Sequence, residues 1–401
     1  MMNNLEYDIV IIGGGPAGST AALILSKAGF KTCLIEKKNF PREVLCGEFL
    51  SGEVSEILNE LNLFEKFLSL NPIKLSKFRY VLNDREISTD LNFPAYAIKR
   101  SVFDDFLLNC ALESGIIIHQ PADVIDVIRD GDKFLVNVAM NREENFLITA
   151  DFVIAAYGKQ NILDKKLKRN FSISGMKSIN NKSNYNGIKF HLNKNLLKNF
   201  PDNEIRIYAA DNIYCGLNPV SDNEITLCFL EKRGNGNGSV RDRIKNLLQN
   251  NQSFRSLFEY KADEILRELP ACLSRRQVYG TGNIYFGKKK AVEDGIFFIG
   301  DAAGMIAPFT GDGIGMAMYS AKILSSLIIQ QKIKNYDRDH LDNKYTAAWN
   351  NSFLKRTKVA LLVQQAILNK LYRQLSFKLI QTFPFLLPEI IKSTRNRIKN
   401  S

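Results

Sequence analysis

"DIVIIGGGPAGSTAALILSKAGFKTCLIEKK", residues 8–38, decides the fold. An apolar run reaches Ile12 and breaks into Gly13, Gly15 and Gly18. A helical stretch from Pro16 to Ala28 follows, and a second apolar run, Lys31 to Glu36, ends on an acid. Strand, glycine turn, helix and strand in this order open a parallel βαβ sheet. The three glycines serve different ends, since Gly13 allows the tight turn, Gly15 lets backbone approach a pyrophosphate, and Gly18 lets helix and strand pack closely. Pro16 and Ala17 start the helix, whose free N–H groups and partial positive charge suit phosphates. Glu36, with Lys37 after it, stands where a carboxylate bonds ribose hydroxyls and disfavours a 2′-phosphate. These residues predict a bound dinucleotide, either NAD or FAD.

Outward from this stretch, the pattern predicts helices at 54–68 and 101–114, strands near Ile116, Val124 and Phe134, and a strand at 152–156. From 185 to 230 the segments "GIKFHL", "EIRIYAA", "IYCGLNP" and "EITLCFL" are short strands joined by Asn/Asp turns, which predicts an inserted antiparallel sheet. "RGNGNGSVRD", residues 233–242, reads as a loop before a helix ending at Asn250. From Ala317 the chain reads as helical, broken around Pro384 and Pro388.

At 401 residues, 45% hydrophobic and 24% charged, the chain suits a soluble globular protein of about two domains. Its net charge of +12 is uneven: beyond Asn350 ten basic residues face the single acid Glu389. Solvated faces of C-terminal helices are the plain reading of that tail, and peripheral contact with an acidic membrane surface is the alternative. The local excess comes with no nucleic-acid motif, so no nucleic-acid partner is expected. The six cysteines show no CxxC and no paired spacing, which argues against disulfides and iron–sulfur ligation. No metal-ligand spacing occurs either. With no basic leader and no apolar run of about 18 residues, a cytoplasmic protein is expected.

"FPREVLCGEF" (40–49), "KRSVFDDFLL" (99–108) and "GDAAGMIAPFTGDGIG" (300–315), together with the N-terminal turn, resemble one superfamily in its own order. Its members are geranylgeranyl reductases, para-hydroxybenzoate hydroxylase-type (group A) monooxygenases and flavin-dependent halogenases. The resemblance covers about residues 5–330 and implies FAD as cofactor. It places Arg42 and the turn Cys46-Gly47-Glu48 beside the ribityl chain and ring, Arg100 near the phosphates or ribityl, Val124 at the adenine and Asp301 on the ribityl hydroxyls. Pro308 then sets a turn before Gly311, Gly313 and Ile314, where a helix N-terminus meets the flavin ring. Such donors stabilise the charge of a reduced ring.

The chain also departs from that pattern. Ring hydroxylases carry an Asp-Gly motif with a following Ser and Arg; "AAYGKQNILDKK" has Tyr157, Gly158, Asn161 and Asp164 at those places. "YCGLNP" keeps Tyr214 and Pro219 of the reductases' YxWxFP strand but has Gly216 for the Trp, which is expected to open the pocket. Trp349, the sole tryptophan, lies far away in sequence. Tyr214, Gly216, Pro308 and Phe309 are the candidate substrate wall. Lys189 and His191 alternate on one strand face and are expected to point into one pocket. They and Cys46 are the candidate catalytic groups, a histidine being able to move a substrate proton near neutral pH.

The expected fold is therefore α/β: a Rossmann-like FAD-binding domain of the glutathione reductase type (1–75, 99–180, 275–335), an inserted antiparallel-sheet substrate domain (76–98, 181–274) and a helical C-terminus (336–401). The expected activity is an FAD-dependent oxidoreductase using NADH or NADPH as transient reductant. Hydroxylation of an apolar or aromatic small molecule leads, and reduction of isoprenoid double bonds is second. Halogenation and a membrane-docked electron carrier stand behind them.

Overall fold

The structure, a computed structural model, describes residues 5–140, 144–159, 161–169, 185–232, 240–258, 279–281, 284, 286, 289–334 and 337–395. The loop reading at 233–239, Cys272 and parts of the domain limits near 170–184 and 259–278 lie outside the described residues.

Two eight-stranded sheets organise the chain. The first is built on the opening stretch. Leu5–Ile12 lies between Thr32–Ile35 and Glu144–Ala155, parallel to both, with Ile12 level with Ile35 and Ala155. Ile9, Val10, Ile11, Cys33, Leu34, Val153 and Ile154 are buried, because a parallel sheet is covered on both faces. Ile117–His119 and Ile296–Phe298 extend it on either side, again in parallel. The helix Pro16–Lys27 packs against one face beside the helix Gly313–Lys334. All three central strands thus finish at one edge, where an open α/β sheet forms its ligand crevice.

The second sheet alternates between two cores. On its strands Tyr208, Cys215, Leu217, Leu227 and Phe229 pack with Leu247 and Phe254 of the helices Val240–Asn250 and Gln252–Ser256. Their neighbours Phe78, Tyr80, Ile207, Tyr214 and Leu230 pack on the opposite face, with Met305 and the C-terminal helices. This is the period-two pattern of a sheet buried on both sides. The inserted strands are antiparallel to one another as expected, but Glu204–Ala210 runs parallel to Ile73–Leu82. Arg79 Nε donates to Glu204 Oε1 at 2.6 Å across that junction.

Several local expectations change. The helix expected over 54–68 is two, Gly52–Glu60 and Phe64–Leu68, because the chain turns at Asn62 with φ 59°. The strand at 152–156 begins earlier, at Glu144. The tail forms helices Arg338–Leu368, Lys370–Thr382 and Leu386–Ser393. Pro384 breaks it as expected, whereas Pro388 sits in the first turn of the last helix, where its missing N–H costs nothing. Asn369 makes the other break by accepting from the N–H groups of Leu371 and Tyr372.

Trp349 is remote in sequence only. It is buried, and its ring carbons lie 2.9 Å from where a Cβ on Gly304 would stand. The space left at Gly304 is therefore filled by the helix Arg338–Leu368, not by a cofactor. Trp349→Ala leaves a cavity under the loop and is expected to cost about 3–5 kcal/mol of stability, measured by denaturant unfolding.

Candidate active site

The crevice at the strand ends continues into a cavity of about 1770 Å³ that reaches the second sheet and the last helix. At its first end the three glycines meet distinct steric demands. A Cβ on Gly18 would fall 1.8 Å from the Gly13 carbonyl oxygen, and Gly13 itself has φ +107° with its would-be Cβ 2.6 Å from the Ala156 oxygen. Gly15 instead faces open space, its nearest neighbour an Arg42 nitrogen at 3.7 Å. Pro16 and Ala17 begin the helix at the cavity wall. Glu36 is buried, and its carboxylate accepts from Gly14 N and Lys38 N, both at 2.8 Å. The acid is thereby aimed at the turn. Lys37 lies at the exposed rim, paired with Asp123 at 2.6 Å, and Val124 is buried beside it.

Midway stands Arg42. Its guanidinium stacks on Phe40 at 4.6 Å from the ring centroid, and its buried Nε has no hydrogen-bond partner. The carboxylates of Glu36 and Asp104 are 3.8 and 3.9 Å away. Arg100, by contrast, is fully engaged, gripping Asp104 through Nε and Nη2 at 2.6 and 2.8 Å. Cys46 and Gly47 line the wall here, with the Glu48 N–H donating to the Cys46 sulfur at 3.3 Å.

The second glycine loop forms the next stretch of wall. Asp301 lies in the turn Gly300–Ala302, whose backbone is held by the Lys289 ammonium donating to the Asp301 carbonyl at 2.8 Å. Burial pushes Lys289 down to about 8. Pro308 and Phe309 line the cavity. Gly311, with φ +72°, backs onto Phe49, while Gly313 opens the helix with nothing nearer its would-be Cβ than Ile306 at 4.0 Å; Ile314 follows. A glycine-faced helix start at each end, an acid, and an arginine held between them only by long ion pairs suit an extended dinucleotide with a pyrophosphate at its centre.

A model of the FAD binding domain matches residues 6–250. The chain belongs to this FAD-binding family. FAD is accordingly its cofactor, and the protein is an FAD-dependent oxidoreductase. The chain is 26% identical over 366 residues to a 1H-pyrrole-2-carbonyl-[peptidyl-carrier protein] chlorinase from Pseudomonas fluorescens, spanning 84% of this chain and 78% of that one. It is 25% identical over 379 residues to a digeranylgeranylglycerophospholipid reductase from Thermoplasma acidophilum, spanning 89% and 88%. Among solved structures, a geranylgeranyl bacteriochlorophyll reductase-like protein from Thermoplasma acidophilum superposes with a TM-score of 0.67 at 23% identity, covering 91% of this chain and 88% of that one. A flavin-dependent brominase does so with a TM-score of 0.69 at 21% identity, covering 97% and 93%. These two show the shared fold.

Lys189 and His191 do share a face, but neither lines the cavity. Both turn to Glu48, the fully buried acid of the turn Cys46-Gly47-Glu48 that the resemblance sets beside the ribityl chain and ring. Glu48 has φ 60° and accepts from Lys189 Nζ at 2.7 Å, Arg100 N at 2.9 Å and Thr226 Oγ1, with His191 Nε2 at 2.6 Å. Glu43 completes the cluster, 2.5 Å from Lys189 Nζ. Burial alone would raise Glu48; the hydrogen bond with His191 and the charge of Lys189 overcome it and hold the carboxyl at about 2. Glu43, Glu48 and His191 converge as metal ligands do, yet the Lys189 ammonium already supplies their cation. What the sequence does not state is the pairing: the two basic residues alternating on this strand find their counter-charge in the acid of the "CGEF" turn.

At the substrate wall Tyr214 and Phe309 meet edge to face at 5.8 Å. Gly216 opens the wall less than expected. Its cross-strand partner Ile207 places Cδ1 3.2 Å from the would-be Cβ, so an isoleucine fills part of the space. Tyr157, at the hydroxylases' Asp position, donates to Asp164 at 2.5 Å, and Asp164 in turn holds the buried Arg169 at 3.2 Å.

Two outcomes follow from these contacts. Gly15→Val is expected to fold with stability within about 1 kcal/mol of the parent and to lose bound FAD, read by flavin absorbance after gel filtration. Lys189→Met leaves Glu48 as a buried, underpaired charge and is expected to cost about 3–5 kcal/mol at pH 7. Because Glu48 sits below its ordinary 4.5 when folded, its contribution is complete above that value and is lost as pH falls toward about 2. The stability gap between parent and variant, measured by denaturant unfolding, is therefore expected to narrow over that interval.

Proposed function

We propose that the protein reduces carbon–carbon double bonds in an extended, isoprenoid-like apolar chain, with NADH or NADPH as the transient reductant. One observation carries this reading: Phe78, Ile207, Leu230 and Met305, clustered with Tyr214 and Phe309, give the cavity a continuous apolar wall, with Asn218, Thr310, Thr394 and Arg395 as its polar neighbours. Such a wall binds length and apolar area and offers few polar handles to a phenol or a carboxylate. The likeness to digeranylgeranylglycerophospholipid reductases supports the same substrate class.

When bound and reduced, FAD supplies the hydride. The chain's residues provide the rest. Gly15, Arg42 and Glu36 would hold the nucleotide end, and the glycine-faced helix start at Gly313 would receive the redox end. The Phe309 ring, wedged between Phe78 and Tyr214, fixes the wall against which the chain lies and excludes water from it. Cys46, which lines the cavity where its two halves meet, is the candidate to give the proton that completes addition of two hydrogens across the double bond.

A second reading, oxygen-dependent hydroxylation or halogenation, is favoured by the likeness to the pyrrolyl chlorinase. Product analysis separates the two. Incubation of the reduced holoprotein with prenyl substrates without oxygen is expected to yield a product heavier by two hydrogens per double bond. A product containing an added oxygen or halogen, formed only with oxygen present, would overturn the reductase reading. Cys46→Ala is expected to leave FAD reduction intact and to slow product formation about 10²-fold or more.

A further inference from the structure

We propose that the outer face of the helix Lys370–Thr382, with the turn Phe383–Phe385 after it, docks on an anionic lipid bilayer. The inner face of this helix is firmly held. Arg373 donates to the carbonyls of Ala210 and Ile367 at 2.9 and 3.1 Å, and Phe377 packs 5.7 Å from the Tyr80 ring. The outer face is what water should not see: Leu371, Leu375 and Leu379 repeat every fourth residue and are each more than half exposed, at 62%, 57% and 51%. Tyr372, Phe383 and Phe385 widen this ridge, the last 64% exposed. A helix held on one side and apolar on the other lacks a partner.

Charge says which partner. Of the tail's basic residues, Arg356, Arg373 and Arg395 are used internally, on Glu53, Asp211 and Asp312. Lys355, Lys358, Lys370, Lys378 and Lys392 remain at the surface, and Glu389 is the one acid beyond Asn350. Leucine and phenylalanine flanked by exposed lysines match an acyl boundary beneath acidic headgroups. A second copy of the chain matches less well, since a two-fold contact through this face would bring its lysines against their own counterparts. No described helix is long and apolar enough to cross a membrane, so the helix would lie on the surface. Ile390 and Ile391, one helix further on, line the cavity. If the proposed reductase reading holds, an apolar substrate would pass from bilayer to cavity beside this ridge, though the docking itself does not depend on that reading.

Sedimentation of the full-length, FAD-loaded protein with phosphatidylcholine vesicles, with and without phosphatidylglycerol, tests the idea without any turnover. Binding is expected only with phosphatidylglycerol and is expected to weaken with salt. Leu375→Ser with Leu379→Ser is expected to weaken it about tenfold or more while flavin absorbance and Tm hold. Lys370→Gln with Lys378→Gln is expected to remove most of the preference for phosphatidylglycerol. Failure of the parent protein to sediment with either vesicle would overturn the proposal. So would unchanged binding by the leucine variant, or a concentration-dependent dimer that the leucine variant abolishes.

Discussion

The architecture rests on one close approach. The carbonyl of Gly13 and the α-carbon of Gly18 come so near that a single methyl group between them would stand 1.8 Å from oxygen. No side chain but hydrogen fits, and the first helix can therefore press its N-terminus against the strand ends. Everything else follows from where that helix points. Its partly charged end looks into the crevice, Glu36 is tied to the same turn through Gly14, and Arg42 lines the gap with only long ion pairs to Glu36 and Asp104. A guanidinium so loosely paired has donors left for an anionic pyrophosphate.

The second constraint is electrostatic and ties the two sheets together. Glu48 is carried by the loop that leaves the cofactor crevice, whereas Lys189, His191 and Thr226 belong to the second sheet. A buried ion cluster of this kind adds little net stability over an apolar contact, but it tolerates no displacement of its members. Position is what the site needs from it. Cys46 and Gly47, two and one residues before Glu48, are fixed by the same contacts, so the sheet that makes the substrate wall and the turn that lines the cofactor crevice cannot drift independently.

Much of this was legible in the chain itself. Glycine spacing after an apolar run determined the parallel sheet, and Asn/Asp-punctuated short strands determined the inserted one, because both patterns follow from local sterics and pairing. What escaped were contacts between segments distant in sequence. Trp349 and Gly304 are related only through packing, so nothing local marks one as filling the other's space. Ile207 takes room that Gly216 leaves, across a strand pair whose register the sequence does not state. Lys189 and His191 were correctly placed on one face, yet their target is an acid some 140 residues earlier in the chain. The second glycine loop shows both limits at once: Gly304 and Gly311 make room for Trp349 and Phe49, and of these three only Gly313, on the cavity wall, leaves its Cβ position open.

Membership of an FAD-binding family leaves the reaction open for a physical reason. The cofactor carries the redox chemistry, so reductases and halogenases can share the crevice, its glycines and its arginine. They must differ in the substrate wall they add to it. Here a tyrosine, a glycine shadowed by an isoleucine, and a phenylalanine wedged between Phe78 and Tyr214 replace the bulk of a tryptophan. An apolar wall of that shape selects by length and contact area, since it has few fixed dipoles with which to orient a polar ring. The same logic extends outward to the tail, where three arginines are spent on internal acids and Lys370 and Lys378 share a helix with an exposed row of leucines. An apolar cavity and an apolar outer ridge, joined by one short helix, share the chemistry that the proposed substrate and the proposed docking face would each require.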